Sequence, residues 1–322
     1  MSRTAPDGPA AARPLMTNPH ADRVKAVRAL ATRSGRRRAG RYVVEGPQAV
    51  REAVRWAPHT VRDVYLTPEA ADRYAEIVAD AGAARLHLHL GDAAVLDAMS
   101  PDAQGVLAVA DLPEAARPAT HGEVPVGPLG ADALDVVLAA RPRLVAVLAQ
   151  VRDPGNAGTV IRVADAAGAD AVVVAGESVE TTNPKVVRST AGSLFHLPVV
   201  SGVPVADVVD ALRRAGLAVL AADGTGDLDL DDLQDAAALA GASGPAAAAP
   251  AAPAVPGTHD GAATDLRAPT AWLFGNEAWG LPAEDRDRAD AVVRVPLRGR
   301  AESLNLGTAA AVCLYASSRA HR

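Results

Sequence analysis

The chain has a single cysteine, Cys313, among its 322 residues. An internal disulfide is therefore impossible, and a thiolate zinc cluster lacks its ligands. Aromatic residues are scarce at 3 %, so any core must rest on Ala, Val and Leu. Lysine occurs only at positions 25 and 185, leaving arginine to supply 30 of the 32 basic residues. No apolar run reaches the roughly 18 residues that a membrane span needs. The opening segment MSRTAPDGPAAARPLMTNPH lacks the apolar stretch of a secretory signal. The eight histidines are scattered, and His87 and His89 alternate on a candidate strand, which reads as one exposed face. These absences exclude membrane and disulfide-scaffold classes and lead to an expectation of a cytoplasmic protein without a metal centre.

What is present is aliphatic material, 49 % hydrophobic in all, in a chain long enough for two domains at roughly 150 residues each. The net charge of −6 argues against nucleic-acid affinity over the whole surface. Charge is unevenly placed, however. Residues 1–60 hold twelve basic residues against four acidic ones.

Pattern divides the chain as follows. Residues 1–17, rich in Pro, Ala and Gly, read as a disordered tail. Residues 18–112 alternate between helix and strand periods and form a small α/β domain. Within it, Val24, Val27 and Leu30 mark one face of a short helix over Asp22–Ala31. Ser34–Arg41 reads as a basic loop, Tyr42–Val44 as a strand, and Pro47–Arg55 as a helix with proline in its first turn. Val61–Leu66, Leu86–Leu90 and Val106–Ala110 are further strands. Pro68–Ala81, ended by Gly82, and Ala93–Met99 are helices. Residues 113–142, broken by five prolines, read as a linker with one short helix near Asp132–Ala139. Residues 143–322 resume the alternation. Short apolar runs at Leu144–Leu148, Ala171–Val174, Leu217–Ala222, Ala271–Phe274 and Ala291–Val295 suit buried parallel strands. Helices over Ala157–Ala167, Val203–Arg214 and Leu304–Arg319 would cover the sheet. Between two of these strands lies 236–268, whose SGPAAAAPAAPAVPG reads as a disordered surface insertion.

Three polar, Gly-rich islands follow strands in this second domain. The first runs from Gln150 to Arg162 through Asp153-Pro154-Gly155-Asn156, with Asn156 placed to cap the next helix. The second is Leu273-Phe274-Gly275-Asn276-Glu277-Ala278-Trp279-Gly280-Leu281, where glycine lets backbone approach a ligand closely. The third is Val295-Pro296-Leu297-Arg298-Gly299-Arg300-Ala301-Glu302-Ser303-Leu304-Asn305, with Ser303 or Asn305 opening an Ala-rich helix. Each alone is equally compatible with an ordinary turn or cap.

Together, in order and spacing, the three resemble the motifs of the SpoU-type (TrmH-like) RNA ribose 2′-O-methyltransferases of the SPOUT superfamily. The matching text is DPGNAGTVIRVADAAGADAVVV, NPKVVRSTAGSLFHLPV, LFGNEAWGLP and VPLRGRAESLNLGTAAAVCLY. The first domain, through RYVVEGPQAVREA, is similar to the L30e-like RNA-binding domain that often precedes the catalytic one. The resemblance implies an α/β fold: a parallel sheet with a deep trefoil knot after a small L30e-like domain. It further implies a homodimer packed through the last helix. S-adenosylmethionine would be gripped at Leu273, Gly275, Val295, Leu297, Ser303 and Leu304. Catalytic roles would fall to Arg162, Asn156, Glu277 and Asn305.

A ribose hydroxyl is a poor nucleophile and must be polarised or deprotonated as it attacks. Arginine is normally always charged, so Arg162 either activates the hydroxyl, as proposed for the family, or clamps the adjacent phosphate. Arg36, Arg37, Arg38 and Arg41 are candidates for phosphate contacts, which give affinity without reading sequence. Lys185 and Arg188 lie in a segment similar to the family's RNA face. The substrate expected is ribosomal RNA, most of all 23S rRNA, with tRNA second. Two other classes compete. A silent RNA-binding protein would not need Asn156, Arg162, Glu277, Ser303 and Asn305 all intact, and a nicotinamide oxidoreductase would need a GxGxxG spacing that PGNAG lacks.

Overall fold

A computed structural model describes residues 14–113, 124–242 and 264–322. The first domain comprises β1 (Leu15–Met16), α1 (Asp22–Ala29), α2 (Arg33–Ala39), β2 (Arg41–Glu45), α3 (Pro47–Trp56), β3 (Val61–Leu66), α4 (Pro68–Arg73), α5 (Ala75–Ala83), β4 (His87–Gly91), α6 (Ala93–Met99) and β5 (Val106–Asp111). Its five strands lie in the order β1-β4-β3-β5-β2, parallel on the β1 side and antiparallel where β5 pairs with β3 and β2. As the periodicity requires, Val24, Val27 and Leu30 are buried.

Three expectations change here. The tail reading fails at its end, because Leu15 and Met16 pair with Leu90 and Gly91; residues 1–13 lie outside the described residues. The basic stretch is helix α2 instead of a loop: the Thr32 hydroxyl accepts from the Gly35 amide at 3.1 Å, and Gly40 closes the helix at φ 63°. The helix expected over 68–81 is two, broken at Tyr74 (φ −116°, ψ 50°) and running past Gly82 to Ala83.

The second domain contains β6 (Gly127–Leu129), α7 (Leu134–Ala139), β7 (Leu144–Ala149), α8 (Pro154–Ala166), β8 (Ala171–Ala175), α9 (Pro184–Ser189), β9 (Pro198–Ser201), α10 (Val205–Arg214), β10 (Ala218–Ala222), β11 (Leu228–Asp229), α11 (Leu230–Ala242), β12 (Thr270–Phe274), α12 (Ala283–Arg286), β13 (Ala291–Arg294) and α13 (Leu306–Ala320). Eight strands form one sheet, ordered β11-β13-β10-β12-β7-β8-β9-β6, with every recorded pairing parallel. Parallel strands covered on both faces must be apolar throughout, and β7, β8 and β12 are buried at every position. The linker reading over 113–142 fails where Gly127–Leu129 pairs with Pro198–Val200 at the sheet edge; residues 114–123 lie outside the described residues. Similarly, helix α11 takes the first residues of the expected insertion. At its far end Leu266 is fully buried, while 243–263 lie outside the described residues.

Register aligns the strand ends. Ala222, Phe274 and Leu148 are neighbours across β10, β12 and β7, so Asp223, Gly275 and Ala149 emerge side by side at the carboxyl edge. Between β7 and β12 the chain order reverses, the position where open α/β sheets bind ligands. Alternation assigns the faces: Trp272 and Phe274 join the core that includes Cys313 and Leu314 of α13, while Leu273 faces the opposite core with Val208 and Leu212 of α10. The Trp272 indole donates to the Ser317 hydroxyl at 2.9 Å, fixing α13 on β12.

The two domains share one continuous apolar cluster, running from Val44 and Val54 to Val186 and Phe195. Polar clasps ring it. Arg188 donates to Glu45 at 2.7 Å and to Asp102 at 2.8 Å. His196 lies between Asp165 at 2.8 Å and Glu52 at 3.2 Å.

Candidate active site

Helix α8 begins where the first island turns. Asp153, and not Asn156, is its cap: the Asp153 carboxylate accepts from the Asn156 amide at 2.7 Å. The cap frees the Asn156 side chain, whose oxygen accepts from Asn305 Nδ2 at 3.0 Å. Asn305 does two things at once, since its own Oδ1 caps α13 through the Gly307 amide at 2.9 Å. Beneath this contact α8 and α13 pack closely; a Cβ at Gly307 would lie 2.5 Å from Thr159 Cγ2. First and third islands are thus joined by one side-chain bond over a small-residue crossing.

The second island is held just as firmly. Asn276 and Gly280 exchange backbone bonds, both at 2.9 Å, and Gly280 takes φ 70° to close the turn. Asn276, buried, donates through Nδ2 to the Gln150 carbonyl at 2.8 Å and accepts from the Ala278 amide at 2.9 Å. Gln150 itself sits at φ 60°, an uncommon backbone region for a side chain other than Asn, Asp or Gly. Only glycine fits at 275, where a Cβ would lie 2.4 Å from the Gly280 carbonyl carbon.

These loops enclose a cavity of about 500 Å³ at the carboxyl edge of β10, β12 and β13. Gly275, Glu277, Val295, Leu297, Ser303, Leu304 and Asn305 all line it. Asn156 lies one hydrogen bond behind the wall through Asn305. Leu273 does not line it; strand alternation turns its fully buried side chain to the far core, and its backbone pairs with Ala221 and Val147 in the sheet. Arg162 also stands off the wall, solvent-exposed two turns into α8. It shares a helical row with Gly155 and Thr159, and helix side chains lean towards the N-terminus, which directs it to the end where Asn156 sits. The sequence reading missed Asp223 and Gly224 on the cavity and gave no role to Asn276 and Glu302, which stand in the second and third islands. The AADGTG text after a strand was the available signal for Asp223 and Gly224.

The wall combines apolar Val293, Val295, Leu297 and Leu304 with the carboxylates of Asp223, Glu277 and Glu302. Such a lining suits a ligand with a flat apolar part, hydroxyl groups and positive charge.

The expected RNA contacts divide. Arg36 is corrected: it is buried at 3 % exposure, pairs with Glu180 across the domain boundary, and donates to the Leu30 and Ala31 carbonyls at 3.3 and 3.2 Å. Glu180 also receives Arg33 and, at 3.8 Å, the exposed Arg37. Arg41 faces Asp111 at 3.8 Å, and Arg188 is the clasp described above. Arg38 and Lys185 are exposed.

Residues 143–315 match the SpoU rRNA Methylase family, and residues 21–107 match the MRM3-like substrate binding domain. The chain is 34 % identical over 201 residues to the 23S rRNA (uridine(2479)-2′-O)-methyltransferase of Streptomyces viridochromogenes, a match spanning 61 % of this chain and 59 % of that protein. To the 23S rRNA (guanosine(2553)-2′-O)-methyltransferase of Bacillus subtilis it is 29 % identical over 294 residues, 91 % of this chain and 94 % of the relative. The fold superimposes on the SpoU methyltransferase AviRb of Streptomyces viridochromogenes in complex with AdoMet at a TM-score of 0.66, with 28 % identity over 93 % of this chain and 98 % of that one. An AdoMet-bound rRNA methyltransferase from Sinorhizobium meliloti gives 0.70 at 25 % identity, covering 95 % and 97 %. With the family match covering more than half of its length, the chain belongs to the SpoU rRNA Methylase family.

Proposed function

We propose that this protein transfers the methyl group of S-adenosylmethionine to a ribose 2′-hydroxyl of 23S rRNA. The observation that carries the proposal is that the second and third islands line one cavity, to which the Asn156–Asn305 bond ties the first. The cavity fits the donor. Gly275 lets the turn close on Gly280 at the cavity wall, the aliphatic wall suits a flat base, and the carboxylates suit an ammonium and a sulfonium.

When bound, the donor supplies an electrophilic methyl group. The chain's residues orient its partner and exclude water. Asn305, fixed at a helix start and tied to Asn156, holds the mouth of the cavity in one geometry, the kind of positioning that lowers a bimolecular barrier. Glu277 lies exposed beside that mouth. Arg162, exposed and free of ion pairs among the described residues, is available to hold a backbone phosphate bidentately or to polarise the hydroxyl. Arg38 and Lys185, with Arg37 in part, remain for RNA backbone contacts.

The same reading includes a cytoplasmic homodimer and a knotted C-terminal crossover. Val312 and Tyr315, 39 % and 49 % exposed on α13, lie in one helical row and support an interface between copies. Among the described residues no helix is long and apolar enough to cross a membrane. The test is methyl transfer from labelled S-adenosylmethionine to separate pools of unmodified 23S rRNA, 16S rRNA and tRNA. Label in the 23S pool alone is expected; label confined to either other pool overturns the substrate.

A further inference from the structure

Trp279 is 54 % exposed, yet it stands on a turn closed and anchored by hydrogen bonds. The Asn276–Gly280 bonds close that turn, and Asn276 anchors it to the Gln150 carbonyl. Its neighbours Ala278 and Gly280 line the donor cavity. The Arg152 guanidinium lies over the indole, 5.4 Å from the ring centroid. Arg152 is held in turn by Glu177 at 3.4 Å and directly precedes Asp153, the cap of α8. The pair therefore bridges the two loops that flank the reaction site, with a large flat apolar surface turned to solvent.

Exposed indole on a rigid loop invites a flat partner. A ribose offered to the donor cavity carries its base on the adjacent carbon, so that base must come to rest near the cavity mouth. We propose that Trp279, backed by Arg152, is the stacking platform for the base of the nucleotide whose ribose is methylated. Both indole and guanidinium planes stack on nucleobases. Every base has a π-face, so the platform orients a purine or a pyrimidine without selecting it. Trp279 is then a positioning residue. The inference rests on the methyl-transfer reading above.

The test compares Trp279→Ala and Trp279→Phe with the wild-type protein, using unmodified 23S rRNA transcript and S-adenosylmethionine. Loss of one stacked base predicts that Trp279→Ala lowers kcat on the order of 10-fold. Most RNA affinity comes from backbone contacts, so the KM for the transcript should change little, and donor affinity by titration calorimetry should hold. Trp279→Phe keeps a ring and should recover most of the rate. In a Trp56→Phe background, transcript should quench the Trp279 emission, since the remaining Trp272 is fully buried. An active wild type with an unaffected Trp279→Ala variant overturns the platform alone, whereas a wild type that methylates no RNA overturns the reading beneath it. A Trp279→Ala variant that loses donor affinity in step with rate, or changes oligomeric mass, also overturns the proposal. It would assign the ring to the donor cavity or to an interface between copies.

Discussion

Asn305 caps α13 with its oxygen and holds Asn156 with its amide, so one residue sets both a helix start and the relation of two site loops. Asn305→Ala should cost about 1 kcal/mol of stability for the lost cap, read as a lower denaturation midpoint. Methyl transfer should fall by a larger factor than that modest destabilisation explains. Arg162→Ala should behave differently. It touches neither the cavity wall nor any core, so donor affinity should be retained while turnover is lost; full activity would remove Arg162 from the mechanism. Asp285 offers a test by pH. Burial, and after it the charge of Glu284, raises its carboxyl above the ordinary value, and its Oδ2 is buried without a partner. A raised folded-state value favours the protonated form, so the associated stability is present in acid and is lost as pH rises through that value. Asp285→Asn should therefore be more stable than wild type at pH 7, with the advantage fading towards pH 4, as thermal melts at the two pH values would show.

At the scale of elements, the β12–α12 turn depends on the close approach of Gly275 to Gly280. Gly275→Ala puts a methyl group 2.4 Å from backbone carbon, a contact that flexible side chains cannot relieve. The variant should keep its folded far-ultraviolet spectrum and lose most donor binding by calorimetry. Legibility at this scale followed the size of the signal. Parallel strands β7, β8 and β12 were plain because burial on both faces forces unbroken apolar runs. Edge strands β6 and β11 were not, being three and two residues long, with a proline in β6. Helix α2 was hidden because RSGRRRA has no apolar stripe; Thr32 and Gly40 at its ends were the only local signs. At the site, the motif residues on turns were readable from Gly, Asn and Pro in sequence. That Leu273 faces away from the cavity needed the sheet to fix which side of β12 carries α13.

At the scale of the whole molecule, the arginines expected to bind RNA chiefly join the domains. Sequence offers no means of telling a phosphate-seeking arginine from one whose carboxylate partner lies more than a hundred residues away, as Glu180 does from Arg36. Glu180→Ala leaves the buried Arg36 without its counter-charge, and removing one partner of such a pair costs roughly 3–5 kcal/mol. The expected result is a clearly lower melting temperature, with the first domain loosening ahead of the second in hydrogen exchange. The shared apolar cluster docks the first domain, with the exposed Arg38, against the second, which carries Lys185 and the cavity.

The central claim is that the methyl group goes to a ribose oxygen. Alkaline hydrolysis of 23S rRNA labelled by this protein tests it, because a 2′-O-methyl group blocks cleavage at its own phosphodiester. The account predicts label in an alkali-resistant dinucleotide; label released in mononucleotides would place the methyl on a base and contradict it.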